Sequence, residues 1–178
     1  MNKLSIKEII LKISAALFFG ALLATNIVYA DCSDDILPST PNSRFTVNNN
    51  GTVTDNQTGL MWMRCSLGQT WDGEKCEGSA TNYTWQQALA SPDKSNLAGF
   101  NDWYLPNIKE LASIIEISCY HPAINNTLFP STQSRVYWTS SHSARSSYFA
   151  WGVYFGYGFV TPNDKNFEQL VRLVRVAF

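Results

Sequence analysis

The chain has 178 residues, of which 45% are hydrophobic and 15% charged, and its formal net charge at neutral pH is −1. This length and composition are enough to bury one continuous core, and the chain contains no repeat or low-complexity tract. A near-neutral charge gives no sign of a general affinity for polyanions, so we expect no nucleic-acid partner.

The first thirty residues have the pattern of a secretory signal peptide. Three lysines precede an apolar stretch over 13–24, and the small-residue sequence VYA at 28–30 offers a cleavage site. The alternative is an uncleaved membrane anchor, but the stretch is shorter than the roughly 20 apolar residues that span a bilayer. We therefore predict a signal peptide over 1–30, a single domain over 31–178 without a membrane span, and a secreted, periplasmic or cell-surface location.

All four cysteines follow the predicted signal peptide, and an exported chain can keep disulfides. Cys65 and Cys76 flank a short loop with an Asp-Gly turn, so they can meet at little entropic cost. That pairing leaves Cys32 with Cys119, a long closed loop worth about 4 kcal/mol by the chain-entropy treatment. The competing interpretation is a zinc site, but no CxxC pair is present and the two histidines lie far from Cys65 and Cys76.

Residues 44–65 alternate β-branched or aromatic runs with Asn-Gly and Thr-Gly turns, which predicts two or three antiparallel strands. In the sequence LMWMR the alternation places Leu60, Trp62 and Arg64 on one face and Met61 and Met63 on the other. Each face carries large apolar side chains, so we predict that this strand is covered on both sides.

Two helices are predicted in the middle of the chain. Thr84 with Gln87, and Asn107 with Glu110, have the spacing of capping boxes, and a Ser-Pro sequence ends the first helix. The apolar stripe of the second helix continues to Ile115 and places the following cysteine near the end of that helix.

Beyond residue 131 the sequence predicts β structure. Taking 147–156 as a strand, the even positions place Tyr148 and Tyr154 beside glycines on a face that either packs under a loop or stacks on a sugar ring. A two-residue turn, Tyr157-Gly158, would set Tyr154 opposite Thr161 on this face and Phe155 opposite Val160 on the other, core face. The predicted core face of the strand consists of Phe149, Trp151, Val153 and Phe155.

The C-terminal sequence LVRLVRVAF predicts a central strand in which Arg172 and Arg175 point to opposite faces. An unpaired buried charge is costly, so we expect both arginines to pair with carboxylates or carbonyls for structural reasons, with ligand capture as the alternative. Helices in the middle and strands at both ends indicate an α+β fold, in which the chain ends share one sheet and the helices cover one side.

Four separated strings occur in a fixed order: NGTVTDNQTGLMWMRC at 50–65, DWYLPNIKEL at 102–111, YWTSS at 137–141 and VRLVR at 171–175. Together they resemble the Lcl C-terminal domain family, from about Phe45 to Val176, although this chain has Asn50 where the family string often has Asp. The resemblance implies a fold similar to C-type lectins and to formylglycine-generating enzymes. It also implies a secreted or surface module of bacteria. The member after which the family is named is associated with binding sulfated glycans and glycosaminoglycans.

Neither the metal nor the catalytic residues of those relatives carry over. Asn163 and Asp164 lie in TPND, an altered form of the lectin calcium string, and Ca²⁺ needs six to eight oxygen ligands that the spacing does not supply. A calcium site there is the alternative to our expectation of no cofactor. No cysteine follows Cys119, whereas formylglycine-generating enzymes use a C-terminal pair, and the serines around His142 lack a nucleophile elbow. We therefore expect no enzyme.

The sequence thus predicts a non-enzymatic, adhesin-like binding module for glycan or another surface polymer. Tyrosines would stack on the ligand, Ser and Asn side chains would hydrogen-bond to it, and Arg145 and Lys165 would attract an anionic ligand. The alternative is an envelope or pilus-associated subunit that binds proteins through a contiguous apolar patch. The candidate ligand-binding residues are Ser140, Ser141, Arg145, Tyr148, Tyr154, Tyr157, Asn163, Asp164 and Lys165.

Overall fold

The computed structural model describes residues 30–92 and 97–177, so the predicted signal peptide, apart from Ala30, lies outside the described residues. The strands are β1 (Asp31–Cys32), β2 (Phe45–Val47), β3 (Thr52–Asp55), β4 (Leu60–Met63), β5 (Thr70–Trp71), β6 (Cys76–Glu77), β7 (Cys119–Tyr120), β8 (Val136–His142), β9 (Phe149–Tyr154), β10 (Phe159–Asp164) and β11 (Val174–Val176). The helices are a 3₁₀ turn (Asn42–Arg44), α1 (Trp85–Ala90) and α2 (Ile108–Ala112). Within these two described ranges, no helix is long and apolar enough to cross a membrane.

The first sheet joins the two ends of the fold. Its order is β11-β4-β3-β2 and every neighbouring pair is antiparallel. The predictions of an α+β class and of chain ends sharing a sheet are therefore confirmed. The second sheet has the order β10-β9-β8, and two short ribbons pair β1 with β7 and β5 with β6.

The C-terminal strand is shorter than predicted and is not central in its sheet. β11 has three residues and lies at an edge, where Tyr104 covers it through backbone hydrogen bonds in both directions with Val174, at 2.8 and 3.1 Å. The preceding residues leave this sheet: Leu170 donates to Val136 O and accepts from Trp138 N, on β8. The continuous apolar run arises because the segment crosses between the two sheets and is buried at both.

Strand β4 separates two hydrophobic cores, as its alternation predicts. Trp62 is fully buried in the first core and Met61 is 9% exposed in the second. We expected the two helices to cover the same side of the sheet, and this expectation is wrong. Leu111 of α2 packs into the first core, whereas Ala88 of α1 packs into the second. Each helix thus packs into a different core.

Both predicted capping boxes are present. The Thr84 hydroxyl accepts from Gln87 N, and the Asn107 side chain accepts from Glu110 N, with reciprocal bonds from the Gln and Glu side chains. Helix α2 ends earlier than its apolar stripe predicts, because the Ser113 hydroxyl donates to Glu110 O at 2.7 Å and the chain turns. The isoleucines that follow fill the first core without being helical.

Both predicted disulfides are confirmed. Cys65 pairs with Cys76 across a separation of 11 residues, with Cα atoms 5.5 Å apart. Cys32 pairs with Cys119 across 87 residues, and the two stand directly opposite each other in the β1–β7 ribbon. Cys119 therefore lies in a strand, not at the end of a helix.

The β9–β10 hairpin has a longer loop than predicted, and Phe159, not Thr161, stands opposite Tyr154. Phe155 lies in the loop 155–158 and does not pair with Val160. Its side chain is fully buried, its ring centroid is 5.2 Å from that of Tyr137, and its N–H donates to Arg135 O outside the hairpin. The predicted core face is confirmed for Val153 and Phe155, which are fully buried. It is wrong for Phe149 and Val160, which lie at the two ends of the sheet and are 38% and 42% exposed.

Candidate functional site

The residues that the sequence selects as a ligand site lie at opposite ends of the second sheet. Tyr154 is the last residue of β9, and Tyr157 follows in the β9–β10 loop. Strand β9 has six residues, so about 17 Å separates its ends. The structure therefore does not bring the nine candidates into one site. The seven at the other end, which we call the lysine end, are Ser140, Ser141, Arg145, Tyr148, Asn163, Asp164 and Lys165.

Charges at the lysine end are mostly engaged by the protein itself. The Lys165 ammonium donates to Ser147 O at 2.7 Å and lies 4.3 Å above the Trp85 ring. The Asp164 carboxylate accepts from the backbone and side-chain nitrogens of Asn166, at 2.9 and 3.0 Å. Arg145 is exposed, and Tyr148 is 71% exposed. Arg145 and Tyr148 are thus the two candidates at this end that face solvent.

The polar candidates at this end hold local structure. Ser141 Oγ accepts from Ile108 N at 3.0 Å and so fixes the start of α2, and Ser140 N donates to Pro106 O at 2.8 Å. Asn163 Nδ2 donates to Thr161 O at 2.9 Å. Their hydrogen bonds explain these residues without a ligand.

At the opposite end, five aromatic side chains touch one another in sequence and form what we call the aromatic row. The successive ring-centroid distances are 5.4, 4.5, 6.0 and 5.2 Å, and neighbouring rings are tilted by 55–61°. The surface is therefore stepped, with ring edges and faces exposed in turn. In order, the row consists of Tyr120, His121, Tyr157, Tyr154 and Phe159.

Three separate elements hold the row together. Tyr120 ends β7, which the disulfide of Cys119 fastens to β1. His121 N donates to Gly156 O at 2.8 Å and so links β7 to the β9–β10 loop. Gly156 makes room for Tyr154, because a Cβ atom at residue 156 would lie 2.3 Å from the tyrosine Cζ.

The aromatic row presents both apolar surface and polar groups. Tyr157 is 60% exposed, and Tyr120 and Phe159 are each 48% exposed. None of the five side chains carries a carboxylate or an amine, whereas three phenol hydroxyls and one imidazole can donate and accept hydrogen bonds. Such a surface can stack on a ring and hydrogen-bond at its edge.

Sequence reasoning missed Tyr120 and His121 and did not select Phe159. The first two precede Tyr157 by more than thirty residues, and only the β1–β7 ribbon and the 121–156 hydrogen bond bring them beside it. The available signal was the sequence CYHP, in which two ring residues directly follow a cysteine of a predicted disulfide.

A cavity of about 450 Å³ lies between residues 30–42, which we call the entry segment, and the loop at 125–127, and Glu116 borders it. The Glu116 carboxylate is 2% exposed and accepts from the backbone and hydroxyl groups of Ser39, Thr40 and Ser118, at 2.7–3.3 Å. Burial alone would raise the pKa of Glu116, but the backbone hydrogen bonds from these residues outweigh it and lower the pKa to about 2. Glu116 therefore fastens the entry segment.

The two C-terminal arginines have the structural partners that the sequence predicts. Arg172 is fully buried and donates to Met63 O and Thr132 Oγ1, each at 2.7 Å, while burial lowers its pKa to about 10. Arg175 forms a two-pronged ion pair with Asp102, at 2.7 and 2.9 Å. Neither guanidinium faces a ligand cavity.

In the part of the chain that is described, no three His, Cys, Asp or Glu side chains lie close enough together to hold a metal ion. The alternative calcium site at Asn163 and Asp164 has one carboxylate, and Asn166 already engages it.

Comparison with known proteins agrees with the sequence pattern. The family model of the Lcl C-terminal domain matches residues 51–175, which is most of the chain and includes the second sheet and all of the first except β2 and the last residue of β11. No curated protein matches the sequence. The chain belongs to the Lcl C-terminal domain family.

Proposed function

We propose that the protein is a secreted, non-enzymatic binding module that recognises glycan through the aromatic row. The observation that carries the proposal is the row itself: five touching rings, three of them about half exposed or more, with hydroxyl and imidazole groups at their edges. Sugar rings offer apolar C–H faces bordered by hydroxyls, so tyrosine faces and phenol groups complement them.

The row is built before any ligand arrives. A disulfide and a backbone hydrogen bond fix the backbone that carries the rings, and Gly156 leaves space for Tyr154, so binding needs no rearrangement of the backbone. A carboxylate would repel the acidic groups of an anionic glycan, and the row has none. Any attraction by Arg145 acts from the other end of the sheet and is screened by salt over such a distance.

Binding of an envelope or pilus protein is the second candidate, and one observation favours it. Val160, which follows Phe159 on β10 and points to the opposite face of the strand, is 42% exposed, so this edge strand offers apolar surface on both faces. An added partner strand is disfavoured, however. Lys165 N donates to Tyr148 O, and the antiparallel alternation then turns the nitrogen of Pro162 toward the free edge, where it has no N–H to offer.

The same proposal includes a fold related to C-type lectins and an adhesin-like role at the bacterial surface. Two helices between N- and C-terminal strands, a shared sheet for the chain ends, and two disulfides support it. Disulfides also fit an oxidising compartment outside the cytoplasm.

A glycan array tests the proposal, together with heparin retention at low and moderate salt. We expect array signal for the parent chain, a strong loss in Tyr157→Ala and Phe159→Ala, and no loss in Tyr148→Ala, an equally exposed tyrosine at the lysine end. Absence of both array signal and heparin retention would sink glycan binding. Signal lost only in Tyr148→Ala would move the site to the lysine end.

A further inference from the structure

A second groove lies on the first sheet, away from the aromatic row. It has a volume of about 490 Å³ and is lined by Val47, Asn48, Asn49, Asn50, Met61 and Phe100. Ligand pockets for small molecules have volumes of about 300–1,000 Å³, so this groove is large enough for a sugar unit. None of the described residues that line it has an ionisable side chain, so these residues suit an uncharged ligand.

The three consecutive asparagines differ in what they leave free. Asn48 Nδ2 donates to Thr52 and Thr54 hydroxyls, at 2.9 and 3.2 Å, so its Oδ1 remains available as an acceptor. Asn50 uses both ends of its amide, donating to Ala98 O and accepting from Thr52. Asn49 is exposed, and its amide makes no hydrogen bond within the described ranges. The groove therefore offers donors and acceptors without charge.

The turn that carries these amides is held in place. Asn48 N donates to Thr52 O at 3.0 Å, and Gly51 takes a φ of +81°. A Cβ atom on Gly51 would lie 2.7 Å from Trp71, so the turn packs closely on that ring. Because the backbone is fixed, the side chains of Asn48 and Asn49 leave the turn from defined positions, and the two hydrogen bonds of Asn48 Nδ2 also orient its amide.

The aromatic wall of the groove is fixed as well. The Arg175 guanidinium lies 4.1 Å from the Phe100 ring centroid, and Asp102 holds that guanidinium through two hydrogen bonds. Trp103 contacts the Phe100 ring edge-on at 6.3 Å. One apolar ring plane thus stands beside neutral amides, which is the combination that a pyranose with free hydroxyls needs.

We propose that this groove binds a neutral, polyhydroxylated ligand, such as one unit of an uncharged glycan. The Asn49 amide and Asn48 Oδ1 hydrogen-bond to hydroxyls of the ligand, and the Phe100 ring contacts an apolar face of the ligand. A hydroxyl both donates and accepts, as an amide does, whereas an acidic or sulfated sugar would find no cation among the described residues that line the groove. This groove does not depend on the aromatic row, which is built on the other sheet.

Titration of the ¹⁵N-labelled chain with glucose, galactose, mannose, cellobiose and lactose tests the groove by following the side-chain amide signals of residues 48–50. We expect at least one of these sugars to shift the signals. Its affinity should be about fivefold weaker in Asn49→Ala, because that variant loses one hydrogen bond to the sugar. Phe100→Leu keeps an apolar partner for Arg175 but removes the flat ring, and we expect it to weaken binding as well. Gln57→Ala, an exposed amide at the far end of β3, is the matched control.

Each result separates this groove from the aromatic row. The groove is supported if sugar shifts the signals of residues 48–50, if Tyr157→Ala leaves these shifts unchanged and if Asn49→Ala weakens them. This conclusion holds whatever the outcome for the row. No shift with any of the five sugars overturns it. Shifts confined to residues 120, 121 and 154–159 also overturn it, while supporting the row. Equal weakening by Gln57→Ala contradicts specific contacts.

Discussion

Glu116 shows how a single buried carboxylate can order a long entry segment. Its two oxygens accept from three backbone N–H groups and three hydroxyls, so the charge that burial would disfavour is fully hydrogen-bonded. These partners lie 76–77 residues away at Ser39 and Thr40, and two residues away at Ser118. The sequence gives no local sign of this arrangement.

Replacing Glu116 with Gln should lower the free energy of unfolding by about 2–4 kcal/mol at neutral pH, because neutralising one partner leaves charge-assisted donors poorly satisfied. The folded-state pKa of about 2 lies below the ordinary value of 4.5. The stabilisation is therefore complete above about pH 4.5 and is lost as the pH falls toward 2. Urea unfolding of parent and variant across this range measures it, with the exposed Glu168→Gln as control.

An unchanged difference between parent and E116Q from pH 7 down to pH 2 would contradict this linkage. A loss equal to that of Glu168→Gln would show that the carboxylate contributes nothing beyond an exposed acid.

Gly156 is a positioning residue of the aromatic row. In Gly156→Ala the new Cβ would overlap the far end of the Tyr154 side chain, which can swing away because that ring is rotatable. We expect less than about 1 kcal/mol lost from the free energy of unfolding. Glycan binding should nevertheless fall, because Tyr154 leaves Tyr157 and Phe159.

Binding and unfolding measured together separate the two effects of Gly156→Ala. Tyr154→Ala alone should weaken binding similarly, and adding Gly156→Ala to it should cost nothing more, since the ring is already gone. Full additivity of the two changes in binding would refute the positioning role of Gly156.

Among the elements, those set by neighbouring residues agree with prediction and those set by distant contacts do not. Both capping boxes are confirmed because cap and partner are three residues apart. The β9–β10 register is wrong by two residues, since Phe155 is held by Tyr137 and Arg135 outside the hairpin. No turn signal within the hairpin contains that information.

The candidate site follows the same division. The sequence predicts Tyr154 from its alternation along β9 and Tyr157 from the turn that follows, but their companions Tyr120 and His121 come from another ribbon. The lysine-end residues were grouped with them because sequence distance along β9 is short, although an extended strand separates its ends widely.

The two disulfides should differ in both stability and binding. Removing Cys32–Cys119 with paired Ser substitutions should cost about 1–2 kcal/mol more in unfolding free energy than removing Cys65–Cys76, because it opens the longer loop. The same change frees β7 and should weaken glycan binding through Tyr120. Guanidinium unfolding and the array measure both effects.

The Cys65–Cys76 variant is the control for binding, because that bridge joins the β5–β6 ribbon and touches no ring of the row. Equal binding losses in the two double variants would mean that Cys32–Cys119 does not act through Tyr120.

Across the whole molecule, the segment from residue 169 to β11 connects the two sheets. Leu170 hydrogen-bonds to β8, Leu173 O accepts from Met63 N at the end of β4, and Arg172 donates to the same part of the chain. The aromatic row belongs to one sheet and the asparagine groove to the other, so this segment places two candidate sugar-binding surfaces on one framework. Two linked sites can raise the avidity for a polymer above the affinity of either.

The most direct test of the central claim is the affinity for the best array glycan, compared between Tyr157→Ala and Tyr148→Ala. Both tyrosines are well exposed, at 60% and 71%, so neither change should disturb the core. The aromatic row predicts at least about tenfold weaker binding for Tyr157→Ala, or about 1.4 kcal/mol, and parent-like binding for Tyr148→Ala. Parent-like binding in Tyr157→Ala, with the loss in Tyr148→Ala, would contradict it.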